Sequence, residues 1–187
     1  MSLKPVRRVV TGHDRSRRAI IALDGAPKTI PFAAVPGTVF HEIWNTNEMP
    51  VSIDNAADPT GRPLQLHPTR HGSIIRIVDI PPDSVQNKVS AEEVAAGFAS
   101  MGAGHAVEGQ ANARHRLMHR TQTIDYGIVL AGEIWLLVDE GEVKLGPGDI
   151  VIQRGTNHAW SNRTEEMARI AFILLDGRFA PEIDSGR

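Results

Sequence analysis

No cysteine occurs anywhere in this chain of 187 residues, so disulfides, thiolate nucleophiles and cysteine-ligated zinc are all excluded. Charge of one sign is lacking too. Twenty Lys and Arg stand against 22 Asp and Glu, a formal net charge of −2, which supplies no global field for nucleic acid or an anionic membrane. Arg7, Arg8, Arg15, Arg17 and Arg18 do form a local basic patch. Acids dilute it and no aromatic residues are interleaved, so a solvated edge hairpin is expected there rather than a nucleic-acid arm. No apolar run approaches membrane-spanning length and the N-terminus has no signal-peptide core, so a cytoplasmic protein without membrane contact is expected.

What is present is ordinary for a globular protein: 41% hydrophobic and 22% charged residues, in a length that suits one domain with a full core. Val6–Thr11 and Ala19–Leu23 read as strands, and Asp24-Gly25 is a strong turn dipeptide. Thr38–Trp44 and Gly72–Ile80 read as further strands, the second stopped by Pro81-Pro82. Residues 45–71 lack periodicity and read as a long irregular connection. One helix is expected near 90–101. Ser90-Ala-Glu-Glu93 is a capping-box pattern, Val94, Phe98 and Met101 recur at helical spacing, and Gly102 ends the run. Residues 102–114 are small and glycine-rich, suited to a lid or surface loop, and from Leu117 to Leu175 the chain is almost all strand and turn. One helix beside many short strands implies an all-β antiparallel barrel or sandwich.

The chemistry concentrates between His119 and Asn162. Side chains of a strand alternate faces, so His119 and Thr121 point the same way, and His158 and Trp160 share a face on a later strand. If those faces close inward, His119, Asp125 and His158 converge. Two imidazoles and one carboxylate with open positions suit non-haem Fe(II), and zinc or manganese as alternatives. The bland readings stay open: both histidines as hydrogen-bonded lining of a wet barrel, Asp125 as an acceptor for a turn amide or for Arg120. Thr121 is too weak a ligand to replace imidazole and is expected to hydrogen-bond substrate, water or Asp125. Trp160 packs in the core or stacks on a planar substrate. Gly127 falls at an inward position where a missing side chain leaves space, a bulge or twist explaining it equally well, and Gln153 either donates an amide into the pocket or caps its turn. His67, Arg70 and His71 cluster in a loop with Pro68, as a solvated loop or as a hold on a substrate carboxylate at the barrel mouth. His115 and His119, four apart, invite a helical metal-pair reading that the strand-like surroundings argue against. Asp139-Glu140-Gly141-Glu142 reads as a hairpin turn rather than a cation loop.

The spacing resembles the cupin superfamily, whose motifs run G-x5-H-x-H-x3-4-E-x6-G and G-x5-P-x-G-x2-H-x3-N. The first falls on His119, Thr121, Asp125 and Gly132. The second falls on Gln153, Gly155, His158 and Asn162, led by Pro147-Gly148-Asp149. The resemblance implies a cupin-type jelly-roll barrel over residues 37–175, with residues 1–36 as an N-terminal strand extension. Cupins with a full site hold a metal by three His and one Glu. Here Thr121 stands for one His, Gln153 for the proline, and Asp125 for Glu, with roughly 1.5 Å less reach. The resemblance implies a metal-dependent enzyme acting on a small carboxylated or aromatic metabolite, of decarboxylase, isomerase or Fe(II) dioxygenase type, with His119, Asp125 and His158 as ligands. The alternative is a metal-free binding or sensing module using the same pocket; a purely structural, seed-storage-like barrel fits the inward polar groups less well. Extra N-terminal strands in cupins often extend a sheet across a subunit boundary, so a homodimer is implied, with Phe40, Trp44 and Tyr126 as contact candidates.

Overall fold

Alternation of small or apolar residues with larger ones builds the central strand of the site. Along β6 (Thr123–Ala131), Thr123, Asp125, Gly127 and Val129 are buried while the residues between them face outward, as a period of two requires. The computed structural model describes residues 3–107 and 113–184. Its remaining strands are β1 (Arg8–His13), β2 (Ala19–Gly25), β3 (Lys28–Pro31), β4 (Val39–Thr46), β5 (Ser73–Ile80), β7 (Ile134–Val138), β8 (Glu142–Leu145), β9 (Ile150–Arg154), β10 (His158–Ser161) and β11 (Ala168–Asp176). Six of these form one antiparallel sheet in the order β3-β4-β5-β11-β6-β9, and three form a second, β10-β7-β8. The two pack around a common core that includes Val78, Val129 and Ile170 from one sheet and Ile134, Leu136 and Trp160 from the other. The expected all-β cupin-type jelly roll is what the chain adopts.

Several local expectations shift. The N-terminal stretch divides: β1 and β2 form a separate hairpin, whereas β3 joins the main sheet beside β4. Three of the five arginines there are answered by acids, Arg7 by Asp24, Arg18 by Asp14 and Arg8 by Asp58. The strand over residues 170–175, β11, lies in the middle of the sheet, between β5 and β6. Phe40, a candidate for a subunit contact, is 8% exposed and makes edge-on contact with Phe32 at 5.8 Å, because its parity on β4 turns it inward. Tyr126 does face outward, and Trp44 is half-buried.

The helix expected near 90–101 is α2 (Ala91–Ser100), preceded by one short turn, α1 (Asp83–Gln86). Its capping box closes in both directions, with the Glu93 amide donating to Ser90 Oγ at 3.1 Å and the Ser90 amide donating to the Glu93 carboxylate at 2.7 Å. Gly97 permits the docking of this helix, since a Cβ there would meet Ala34 and Phe32 at 2.4 and 2.7 Å. Within the segment 102–114, Gly104–Val107 forms a 3-10 turn, and residues 108–112 of the expected lid lie outside the described residues.

An ion pair crosses the interior. Glu42 on β4 and Arg76 on β5 are ladder partners, 6% and 2% exposed, with Arg76 Nε 2.9 Å from Glu42 Oε1. The guanidinium also donates to the carbonyls of Gln65 at 2.6 Å and Leu66 at 3.3 Å. Burial pushes the Arg76 pKa down and the Glu42 charge opposes this. Removing one partner of such a pair strands the other charge, at a cost of about 3–5 kcal/mol. Glu42→Leu is therefore expected to lower stability by that amount in urea titrations, with much of it recovered in the Glu42→Leu, Arg76→Met double variant. A single variant as stable as the parent chain refutes the pair's structural role.

Candidate functional site

Three strands bring the expected residues to one place. His119 forms an isolated antiparallel bridge to His158, with amide-to-carbonyl hydrogen bonds of 2.9 Å in both directions. Their rings lie 4.3 Å apart. Asp125 enters from β6, and all three line one cavity of about 130 Å³ with Thr121, Trp160 and Arg76. Its other walls are mostly hydrophobic, and Phe98 and Met101 of α2 close it from the side. The helix is thus part of the site, since the Phe98 ring packs 5.1 Å from that of His119.

The tautomers follow from the hydrogen bonds. His119 Nδ1 lies 2.9 Å from the Leu117 carbonyl and His158 Nδ1 3.0 Å from the Thr156 carbonyl. A carbonyl only accepts, so each Nδ1 carries the proton and each Nε2 presents a lone pair. Burial pushes the His158 pKa down to about 3, helped by the neighbouring His119, and burial likewise lowers that of His119. Both rings are neutral at pH 7. Asp125 shifts the other way. Burial raises its pKa to about 6, against the opposing effects of a hydrogen bond from Thr123 and the charge of Arg76. Its Oδ1 is buried with no hydrogen-bond partner among the described residues. The Thr121 and Thr123 hydroxyls bond to each other at 2.8 Å.

The bare Nε2 atoms are of the right type for a metal, and backbone bonds at Nδ1 are the usual support of a ligating histidine. Among the described residues, however, no three His, Cys, Asp or Glu side chains stand close enough together to hold an ion. His119, Asp125 and His158 share the cavity without forming one ligand set, so the arrangement does not fit the expected three-ligand centre.

Other expectations are corrected. Gln153 is buried but turns away from the cavity, its amide donating to Thr156 of its own turn. Gly127 leaves no space, because Trp160 and Phe172 fill it, each 3.4 Å from where a Cβ would stand. Trp160 packs edge-on against Phe172 at 5.3 Å, as the core reading expected, and lines the cavity as well. Arg120 does not pair with Asp125; it donates to the carbonyls of Gly155 and Ile183 and lies over Phe179. His115 faces Asp83 at 3.4 Å, separate from the His119–His158 pair. The acidic run 139–142 is the β7–β8 turn, with Glu142 bound by Arg114 and Arg163. Asn162 is structural, tying the end of β10 to the carbonyls of Ile80 and Glu166. Arg76 and Glu42 were missed, although a charged residue between Ile74 and Val78 at inward parity was a visible signal.

The family model for the cupin domain matches residues 104–176. Phomopsin biosynthesis cluster protein C' of Diaporthe leptostromiformis is 31% identical over 94% of this chain and 81% of its own length. The chain belongs to the cupin family. The cupin-domain-containing oxidoreductase fogC of Aspergillus ruber is 27% identical to this cupin over 93% of the chain and 74% of its own length. Among solved structures, a Cupin 2 conserved barrel domain protein from Salinispora arenicola matches 56% of the chain and 63% of its own at 15% identity and a TM-score of 0.34.

The linkage of Asp125 has a definite sign. Its folded pKa of about 6 lies above the ordinary 3.8, so its protonated form favours the fold below about pH 4, and this contribution, on the order of 3 kcal/mol, is lost as pH rises through 6. His158 acts oppositely: its contribution is present above pH 6.5 and lost as pH falls toward 3. Asp125→Asn is expected to be more stable than the parent cupin at pH 7.5, by about 1–3 kcal/mol, with the difference vanishing near pH 4. Urea midpoints at pH 4 to 8 test this, and a difference that does not change with pH contradicts it.

Proposed function

We propose that this cupin is an enzyme of small-molecule metabolism in which Asp125 moves a proton on a small, largely apolar or aromatic carbonyl compound. The observation that supports this is the unpartnered, buried carboxylate oxygen of Asp125, facing an apolar cavity and poised with a pKa of about 6. A base near neutral pH combines a correct protonation state with useful driving force. Desolvation makes the carboxylate a stronger base than in water, and its hydrogen bond from Thr123 orients it. As Asp125 takes a proton from the carbon beside the carbonyl, negative charge builds on the carbonyl oxygen. Arg76, held rigid by Glu42 and two backbone carbonyls, supplies a fixed positive charge in the same cavity. The two bare Nε2 atoms accept hydrogen bonds from a substrate hydroxyl or amide. Returning the proton at another carbon completes an isomerisation.

The reading is tested by screening aromatic and carboxylated carbonyl compounds for deuterium uptake at the α-carbon in D2O by mass spectrometry. The parent chain is expected to label a subset of them, with a rate that rises through pH 6, and Asp125→Asn to label them roughly 10²- to 10⁴-fold more slowly. Equal labelling by the two proteins, or none with any compound, ends it.

A second reading, a metal-dependent cupin binding Fe(II), zinc or manganese, is favoured by the paired histidines with bare Nε2 atoms. It predicts one equivalent of metal retained after loading and lost in His158→Gln; the acid–base reading predicts well under one equivalent in both, by elemental analysis. The protein is also proposed to be a homodimer. Ile150 and Ile152 on β9 and Tyr126 and Leu130 on β6 are exposed, and β9 ends the sheet order, so a second copy covers apolar surface there. Sedimentation at micromolar concentration is expected to show a dimer that Ile152→Asp weakens, and a monomer throughout rejects the proposal.

A further inference from the structure

A second recess lies at the end of the strands that carry Asp125. It is a groove of about 790 Å³ bordered by His67, Arg70, His71, His105, Asp176 and Arg178, with Thr123 in its wall. The sheet register sets its place. Asp125 pairs with Leu174, and Thr123 pairs with Asp176, the last residue of β11. Thr123 and Asp125 are two residues apart on one face, so the groove stands roughly 6–7 Å further along the strand than the catalytic carboxylate. Leu66, a wall of the inner cavity, is followed directly by His67, a wall of the groove.

The groove is cationic where the cavity is apolar. Arg70 and Arg178 form no ion pair or side-chain hydrogen bond with a described residue, and the His67 and His105 rings approach to 6.0 Å. The one acid, Asp176, is already engaged, its Oδ2 accepting the backbone amide of His71 at 2.7 Å. That bond holds His71 in a left-handed conformation, φ 59°, which a non-glycine residue adopts at a cost. The sequence places these arginines and imidazoles on three separate segments, 67–71, 105 and 178, and the fold gathers them. We propose that this groove binds an oxyanion, the carboxylate or phosphate of a small-molecule substrate whose apolar body enters the cavity toward Asp125. Guanidinium groups are the side chains best shaped for such anions. The inference rests on the acid–base reading for what the cavity does, but the groove's binding of an anion is measured separately from catalysis.

The test follows the imidazole resonances of the full chain by NMR, titrating inorganic phosphate in one arm and benzoate in the other, with chloride holding ionic strength constant. Saturable shifts of His67, His71 and His105 are expected. Arg70→Gln with Arg178→Gln is expected to weaken binding about a hundredfold, two charge-assisted contacts being lost, while the His41 resonance stays unmoved as a check on the fold. Benzoate shifting His119 or His158 as well identifies a carboxylated substrate with its ring in the cavity; phosphate shifting the groove alone identifies a phosphorylated one. Binding is expected to persist in Asp125→Asn, so that loss of labelling in that variant bears on the acid–base reading only. No saturation below ~10 mM in either arm, or equal binding by the double arginine variant, overturns the anion site.

Discussion

Arg76 carries its charge into an interior from which water is excluded, and the chain answers with Glu42 directly across the ladder and with the carbonyls of Gln65 and Leu66. Desolvation of both ions is expensive, and only close geometry and further hydrogen bonds repay it. The pair therefore ties β4, β5 and the irregular segment before β5 into one wall. It also leaves a fixed positive field on the side of the cavity lined by Asp125. Packing and chemistry share this element: the same burial that makes the pair costly to break makes its field strong inside the barrel.

The same low dielectric sorts the remaining polar groups. His119 and His158 stay neutral because burial penalises their charged forms, and Asp125 is pushed toward its protonated form for the same reason. Groups brought together at cupin motif positions thus end as two acceptor imidazoles and one poised carboxyl, rather than three anchors about one point. Outside the barrel the balance changes. At the strand ends, solvent reduces the cost of charge, and Arg70 and Arg178 border a groove whose one acid, Asp176, is engaged by the His71 amide.

Much of the fold was legible in the residues. The inward faces of Asp125, His158 and Trp160, the capping box at Ser90, and the turn at 139–142 all rest on local rules that the tertiary structure obeyed. Where reading by parity went astray, longer-range packing was the cause. Gly127 was expected to leave room, but Phe172 from β11 and Trp160 from β10 close over it. Of the two readings for Gln153, pocket donor or turn cap, the structure has the second, its amide donating to Thr156.

By itself the sequence determined the all-β architecture, the strand faces and the candidacy of His119, Asp125 and His158, since period-two alternation and motif spacing are properties of a few neighbouring residues. Only the tertiary structure decided how near those groups come, what each is hydrogen-bonded to and which of them holds a proton at neutral pH. Those outcomes depend on register between strands distant in the chain and on burial by residues such as Phe98 and Arg76, and no local pattern encodes the dielectric that a closed barrel imposes on a side chain.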